Sequence, residues 1–173
     1  MFHVPRALPT MSRRRALFSA AALALLGATA ACGTAPPPPE YTDLTAQLDR
    51  ARADAAMASD AAAALPPTSK QLRALTAVAS ERSAHAQALS DELARIAGDK
   101  AEAWAATTTS TAPSNTTAPA QAPTVKDVGN ALQQSAHSAA DLAARLSGYR
   151  AGLLGSIAAS CTAAQTVALG GAQ

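Results

Sequence analysis

A regular spacing of residues determines the secondary structure of the middle of the chain. Between Leu72 and Ile96, residues recur at alternating intervals of three and four: Leu72, Leu75, Ala79, Arg82, Ala86, Leu89, Leu93 and Ile96. This spacing places them on one side of an α-helix and is typical of a helix in a bundle. Ser69 or Thr68 can cap its start, and Gly98 is a common type of residue just beyond a helix end. The pattern predicts a helix over about 69–97.

A second helix is predicted before this one. Apolar residues recur at the same intervals from Leu44 to Leu65, and Pro66-Pro67 cannot continue a helix interior. We expect Thr42 to cap its first turn. The residues before it, 32–41, include four consecutive prolines, which favour an extended tether.

The periodicity resumes near the end of the chain and is interrupted at Gly148. The stripe consists of Val125, Val128, Leu132, Ser135, Ala139, Leu142, Leu146, Tyr149 and Leu153. Gly148 either turns the chain into a fourth helix or bends one long helix. We expect a turn or sharp kink, because a single helix of about 44 residues is unusual in a compact domain. The small residues beyond it are expected to allow close packing against neighbouring helices: Gly152, Gly155, Ser156, Ala159 and Ser160.

These segments predict one all-α domain over residues 42–173. The fold is expected to be an antiparallel helical bundle of three long helices, with a fourth after a break near Gly148. Residues 106–124 are rich in Thr, Pro and Ala and have neither charge nor hydrophobic periodicity. We interpret them as a flexible linker within the domain.

The first 31 residues resemble an export signal. Three arginines, Arg13 to Arg15, precede an apolar run from Ala16 to Ala31 that is shorter than the roughly 20 residues of a membrane span. A charged start, a short apolar run and small residues before a cleavage site are typical of a signal peptide. Ser12, Arg13 and Arg14 also match the order of a twin-arginine signal, for which Met11 fits as the start as well as Met1 does.

Cys32 ends this signal and has two interpretations. The letters TAAC followed by Gly33 resemble a bacterial lipobox, in which the cysteine becomes the acylated first residue, although Thr29 stands where leucine is usual. The alternative is cleavage one or two residues earlier, which would give a soluble secreted protein. An unacylated Cys32 could pair with Cys161 in an oxidising compartment. With Cys32 acylated, we expect Cys161 to be a buried, inert thiol.

The charge distribution argues against nucleic-acid binding. All 12 acidic residues follow Cys32, whereas four of the 14 basic residues precede it. The exported part therefore carries 10 basic and 12 acidic residues, without the clustered basic footprint of a nucleic-acid-binding protein.

No sequence motif indicates catalysis. The chain lacks a glycine-rich phosphate loop, a G-x-S-x-G elbow, H-E-x-x-H and cysteine pairs at metal spacing. Glu81 with His85, and His137 with Asp141, lie four apart, which is common for pairs on an exposed helix surface. We expect no catalytic residues, no cofactor and no metal site.

Arg82 is the one charge in the predicted helix seam. The Pro66-Pro67 turn places it opposite Ala51, close to Asp54, with Asp49 as the second choice. An unpaired buried charge costs several kcal/mol, so we predict an Arg82–Asp54 ion pair that sets the register of the hairpin. An anion site in the bundle is the functional alternative. For the ion pair, Arg82→Met is expected to be tolerated or mildly stabilising, and Asp54→Ala alone to destabilise the fold.

The stretch GYRAGLLGSIAASCTAAQ, in an exported alanine-rich chain of helical hairpins, resembles ferritin-like four-helix proteins of actinobacterial envelopes. The resemblance implies a ferritin-like up-down arrangement. The chain departs from the metal-binding members, because its last helix has no acidic residue and Cys161 and Ala164 stand where an E-x-x-H pair belongs. It therefore implies the fold without the di-iron chemistry.

We therefore predict a non-enzymatic lipoprotein on the outer face of the cell membrane. Cys32 would supply the membrane anchor, and the bundle would present a helical face to an envelope protein. The alternative function is binding of a lipid or small molecule in an apolar groove between helices.

Overall fold

The computed structural model describes residues 35–108 and 122–170, with side chains for 35–104 and 122–170. The predicted signal with Arg13 and Arg14, the predicted anchor Cys32 and most of the predicted linker lie outside these ranges.

Helices are the only regular secondary structure of the described residues. They are α1 (Pro39–Ala63), α2 (Lys70–Ala97), α3 (Ala101–Thr108), α4 (Val125–Ala143) and α5 (Gly148–Ala163). A 3₁₀ turn, Gly98–Lys100, joins α2 to α3, and a π-helical segment, Ala164–Leu169, continues α5. The predicted all-α bundle is confirmed, including the separate helix after the break near Gly148.

The helix boundaries have local causes in the sequence. The Ser69 hydroxyl accepts hydrogen bonds from the amides of Gln71 (3.1 Å) and Leu72 (3.4 Å), which caps α2 as predicted. Gly98 ends α2 with φ +52°, and Gly148 follows the turn after α4 with φ +59°. These backbone conformations favour glycine, because a Cβ would be strained there. Gly148 therefore turns the chain rather than bending a single helix.

The start of α1 differs from the prediction. The helix begins at Pro39, and Thr42 lies inside its first turn rather than capping it. Proline is tolerated in a first helical turn because its missing N–H would have had no partner there. Tyr41, predicted to belong to the tether, is buried, and its ring packs edge-on against Trp104 of α3 with centroids 5.0 Å apart.

The first residues of the predicted linker, 106–108, are helical, because α3 continues to Thr108. Residues 109–121 of that linker lie outside the described ranges. Thr124 belongs to a capping box that starts α4. Its hydroxyl accepts a hydrogen bond from the Asp127 amide, and its own amide donates to the Asp127 carboxylate.

Side-chain contacts define the directions of the long helices. α1 packs against α2 and α4, and α4 packs against α5. Arg150 of α5 contacts both Glu40 at the start of α1 and Glu92 near the end of α2. Hence α1 and α5 begin at the end of the bundle where α2 and α4 finish. We call this the α1 end. Neighbouring helices are antiparallel, so α2 ends at the α1 end and α4 begins at the opposite end of the bundle.

Leucines dominate the core between these helices. The fully buried ones are Leu44, Leu75, Leu89, Leu132, Leu142, Leu154 and Leu169. Val78, Glu92 and Ala97 of α2 are also buried, although they lie outside the predicted stripe. α2 contacts both α1 and the π-helical segment, and a helix with two neighbours buries more than one narrow stripe.

Two predictions about the last helix are wrong. Tyr149 is 64% exposed, because the turn before Gly148 resets the helical phase and the stripe of α4 does not continue into α5. The predicted close-packing residues Gly152, Gly155, Ser156 and Ala159 are exposed, and Ser160 is half-buried. A Cβ added to Gly152 or Gly155 meets no atom within 4 Å. α5 instead packs through Leu154, Ile157 and Cys161.

Candidate functional site

An ion pair crosses the interior of the bundle between α1 and α2. Arg82 Nη2 lies 3.0 Å from Asp54 Oδ2, and the two side chains are only 3% and 6% exposed. This is the pairing that the hairpin register predicts. Asp49, the second choice, lies on the surface instead, 3.9 Å from Arg52. The register follows from the short loop at Pro66-Pro67, because a short loop determines which residues of α1 lie opposite which residues of α2.

Ser135 brings α4 into this contact. Its hydroxyl donates to Asp54 Oδ2 over 2.6 Å, and Ser135 is 1% exposed. The sequence placed Ser135 in the apolar stripe of its helix but did not identify its partner. A small hydroxyl at a seam position is the signal that could have suggested a buried acceptor on a facing helix. Together the three residues connect α1, α2 and α4.

His85 lies on the other side of Arg82. Arg82 Nη1 is 3.2 Å from His85 Nδ1, and a guanidinium can only donate, so Nδ1 must accept and the imidazole must be neutral. Burial lowers the pKa of His85, as does the nearby charge of Arg82, while Glu81 opposes the shift. We call Asp54, Arg82, His85 and Ser135 the buried polar cluster.

Cys161 of α5 is a free cysteine close to this cluster and is buried, as predicted. Burial raises the pKa of its thiol, and Asp54 and Glu81 add to the increase against the opposing effect of Arg82. A raised pKa keeps the sulfur as a thiol, whereas nucleophilic attack and metal binding need the thiolate. The environment of Cys161 therefore favours an inert side chain.

A second set of charges lies at the α1 end. The Glu92 carboxylate is 1% exposed and accepts hydrogen bonds from Arg95 Nε (2.8 Å), Arg95 Nη2 (2.6 Å) and Arg150 Nε (2.9 Å). Arg150 Nη1 also reaches Glu40 Oε2 at 2.6 Å. The hydrogen bond to Glu92, with further support from Glu40, raises the pKa of Arg150. Sequence reasoning missed this group. The i,i+3 spacing of Glu92 and Arg95 predicts a contact between these two residues, but it does not predict that Arg150 from another helix also binds Glu92.

Glu40, Arg95 and Arg150 also line an open cleft of about 390 Å³, which we call the arginine cleft. Its walls are Glu40, Arg95, Arg145, Leu146, Ser147, Tyr149 and Arg150. The Arg95 guanidinium lies 5.8 Å from the centroid of the Tyr149 ring, within the range of a cation–π contact. The geometry brings guanidinium groups from three separate places in the sequence to one opening.

The two histidine–acid pairs from the sequence have different surroundings. Glu81 accepts a hydrogen bond from Ser160, and its neighbour His85 belongs to the buried polar cluster. His137 is exposed, as the helical pattern predicts. Within residues 35–108 and 122–170, no group of three or more His, Cys, Asp or Glu side chains could hold a metal ion.

The outer side of α5 has no charge. From Ala151 to the end of the chain the sequence contains no charged residue. Its exposed positions in the structure are Gly152, Gly155, Ser156, Ala159, Thr162, Ala163, Thr166 and Val167. We call this set the α5 outer face. In the described part, one helical run, Gly148–Leu169, is long and apolar enough to cross a membrane by length and composition alone, which is weak evidence for a span.

An apolar cleft of about 280 Å³ lies between α2 and the end of α5. Its walls are Ala77, Val78, Glu81, Ser160, Ala163, Ala164, Val167 and Ala168.

The comparisons with known proteins give no relative from which to read a function. No family model, no curated protein and no solved structure matches this chain.

Proposed function

We propose that this chain is an exported, non-enzymatic helical bundle that binds another protein of the cell envelope. Acylated Cys32 would hold it on the outer face of the membrane, and the lipobox-like sequence supports that anchor. The observation that carries the binding role is the α5 outer face, which has small side chains and no charge over residues 152–167. Depletion of charge is one of the compositional features of the centres of protein interfaces.

The chemistry of this face suits a helical partner. Glycine, alanine and serine allow two helices to approach to the short end of the usual range of about 8–10 Å. At about 1.5 Å per residue the face is roughly 23 Å long, enough for about four turns of a partner helix. The partner we expect is a helix of an envelope protein that is itself rich in small apolar residues.

The buried polar residues support a binding role over an enzymatic one. Ser135 is 1% exposed, so its hydroxyl has no access to substrate, and its acceptor Asp54 is already paired with Arg82. Arg82 is also sealed inside the bundle. These groups stabilise one register of the helices.

The helix order supports the ferritin-like resemblance as a description of the fold. The second helix of the antiparallel pair α1–α2 ends at the opposite end of the bundle from the start of the pair α4–α5. These are the helix directions that a ferritin-like fold connects by one long crossover. α5 has no acidic residue to contribute to a di-iron site, so we propose a degenerate member that kept the scaffold alone.

The alternative, binding of a lipid or small molecule, has the apolar cleft between α2 and α5 in its favour. At about 280 Å³ it lies just below the roughly 300–1,000 Å³ of typical ligand pockets. A lipid chain would need a longer groove, so we place this function second.

Site-specific photo-crosslinking in the producing cells tests the proposal. A photoreactive residue at Ser156 should give a discrete protein adduct, identified by mass spectrometry, and Gly155→Arg should abolish it. The matched control is the same residue at Ser80, which is exposed on α2. Equal adducts from both positions, or adducts with phospholipid alone from Ser156, would contradict binding of a protein at this face.

A further inference from the structure

The arginine cleft has the composition of an anion site. Arg95 at the end of α2, Arg145 in the turn after α4 and Arg150 in the first turn of α5 line it, together with a single carboxylate, Glu40. Planar guanidinium groups match the oxygen atoms of phosphate in paired hydrogen bonds, which makes arginine the usual residue for phosphate recognition.

Several of the N–H donors in the cleft have no protein partner among the described residues. Arg95 uses Nε and Nη2 for Glu92, which leaves Nη1. Arg150 uses Nε for Glu92 and Nη1 for Glu40, which leaves Nη2. Arg145 is 67% exposed, and its ion pair with Asp43 is 3.9 Å long, so its guanidinium is held only loosely by the protein.

The buried acids hold two of these arginines in place. Glu92 accepts from both Arg95 and Arg150, so their remaining donors are positioned before a ligand arrives. Fixing a binding group in advance reduces the entropy lost on binding. Because Glu40 and Glu92 offset part of the positive charge, recognition here depends on directed hydrogen bonds more than on net charge.

The start of α5 adds to the same wall. Ser147 precedes the helix and makes no capping hydrogen bond with its side chain. The first amide groups of a helix have no partner within the helix, and the dipole there favours a negative charge. This feature strengthens a site that the three arginines already define.

We propose that the arginine cleft binds a phosphate group, either as free phosphate or as the headgroup phosphate of an anionic phospholipid. A volume of about 390 Å³ leaves room for a phosphate together with the group to which it is esterified. The cleft lies at the α1 end, where the chain enters the bundle. If Cys32 is acylated, about 3.1 Å per residue of extended tether keeps this end within roughly 20 Å of the bilayer. The lipid source thus depends on the proposed anchor, whereas the phosphate chemistry does not.

The test is a titration of the chain from residue 32 onward, carrying Cys32→Ser, followed by ¹⁵N NMR. Sodium phosphate, compared with sodium chloride at equal ionic strength, should shift the side-chain Nε signals of Arg95 and Arg150 and the Gly148 amide. Arg145→Gln should weaken binding about tenfold, as expected for loss of one charged hydrogen bond. Arg52→Gln is the matched control, since Arg52 is 61% exposed and also lies 3.9 Å from an aspartate.

Two further measurements separate the outcomes. Arg95→Lys keeps the charge beside Glu92 but loses the planar fork, and it should also weaken phosphate binding. Vesicles of phosphatidylcholine with and without phosphatidylglycerol distinguish a lipid headgroup from free phosphate. Binding that depends on Arg145 with either probe supports the proposal. No shift with phosphate or anionic vesicles, or equal losses in Arg145→Gln and Arg52→Gln, overturns it.

Discussion

Replacing Asp54 by alanine should strongly destabilise the bundle. The substitution removes the one carboxylate of the described part of the chain that contacts Arg82, and also the acceptor of the Ser135 hydroxyl. The guanidinium cannot reach water without moving α1 and α2 apart, since its side chain is 3% exposed and its Nε has no partner among residues 35–104 and 122–170. His85 accepts one of its hydrogen bonds but carries no compensating charge.

The size of the effect follows from this burial. At an effective dielectric constant of about 20, two unit charges about 4 Å apart attract by about 4 kcal/mol. Breaking a buried ion pair by removing one partner typically costs about 3–5 kcal/mol, because the other charge is left uncompensated. We expect a loss in this range for Asp54→Ala. A domain of this kind is stable by only about 5–15 kcal/mol in total, so the variant should be near the limit of folding.

Urea unfolding followed by circular dichroism at neutral pH measures the loss. The chain used carries Cys32→Ser, and the slope of the transition should stay constant if only stability changes. Asp49→Ala is the matched control. Asp49 has a 69% exposed side chain 3.9 Å from Arg52, and loss of such a surface pair costs within about 1 kcal/mol. If Asp54→Ala costs no more than Asp49→Ala, the ion pair does not stabilise the register and the reasoning fails.

The structure changes the expectation for Arg82→Met. From the sequence alone, this substitution is expected to be tolerated or mildly stabilising. Asp54 is 6% exposed and faces Ser135, so Arg82→Met leaves a buried carboxylate without a cation. We now expect Arg82→Met to destabilise the bundle. The double variant Asp54→Leu, Arg82→Met should recover most of the loss, because replacing both members of a buried pair by apolar residues is often neutral or stabilising.

Three further predictions follow from single residues. The pKa of His85 is lower in the folded state than in the unfolded state, so as the pH falls the unfolded state binds a proton before the folded state does. The unfolding free energy should therefore fall as the pH drops below about 6.5, where an unperturbed histidine titrates. His85→Gln should remove that slope in urea titrations across pH, whereas exposed His137→Gln should keep it. Gly148→Ala should lower the unfolding free energy by about 1 kcal/mol, because Gly148 has a positive φ. Gly152→Ala should raise the unfolding free energy by about 0.5–1 kcal/mol, because Gly152 lies inside a helix and an added Cβ meets no atom. A lower unfolding free energy in both variants would refute the backbone argument. Cys32→Ser should move the protein from the membrane fraction to the medium on immunoblots, and a wild-type protein already found in the medium with its N-terminus at Ala31 would refute the anchor.

The sequence predicted the elements of the fold because local chemistry decides them. Intervals of three and four predicted α1, α2 and α4, Ser69 predicted where α2 begins, Gly98 predicted where it ends, and Gly148 predicted the break before α5. The short helix α3 was not predicted. The Arg82–Asp54 pair could also be predicted, because a tight turn between two helices fixes their register and a charge in an apolar seam needs a partner. Each of these inferences needs only contacts that are close in sequence or related by one short turn.

Only the tertiary structure decided which groups meet across the bundle. Ser135 reaches Asp54, and Arg150 joins Glu40 to Glu92, through pairings of helices that no short turn connects, for which sequence spacing gives no register. The phase of α5 was also beyond sequence reasoning, because the turn at Gly148 rotates the helix by an amount that packing sets. The small residues of α5 therefore face outward, and the arginine cleft exists only because the ends of α2 and α4 lie beside the starts of α1 and α5.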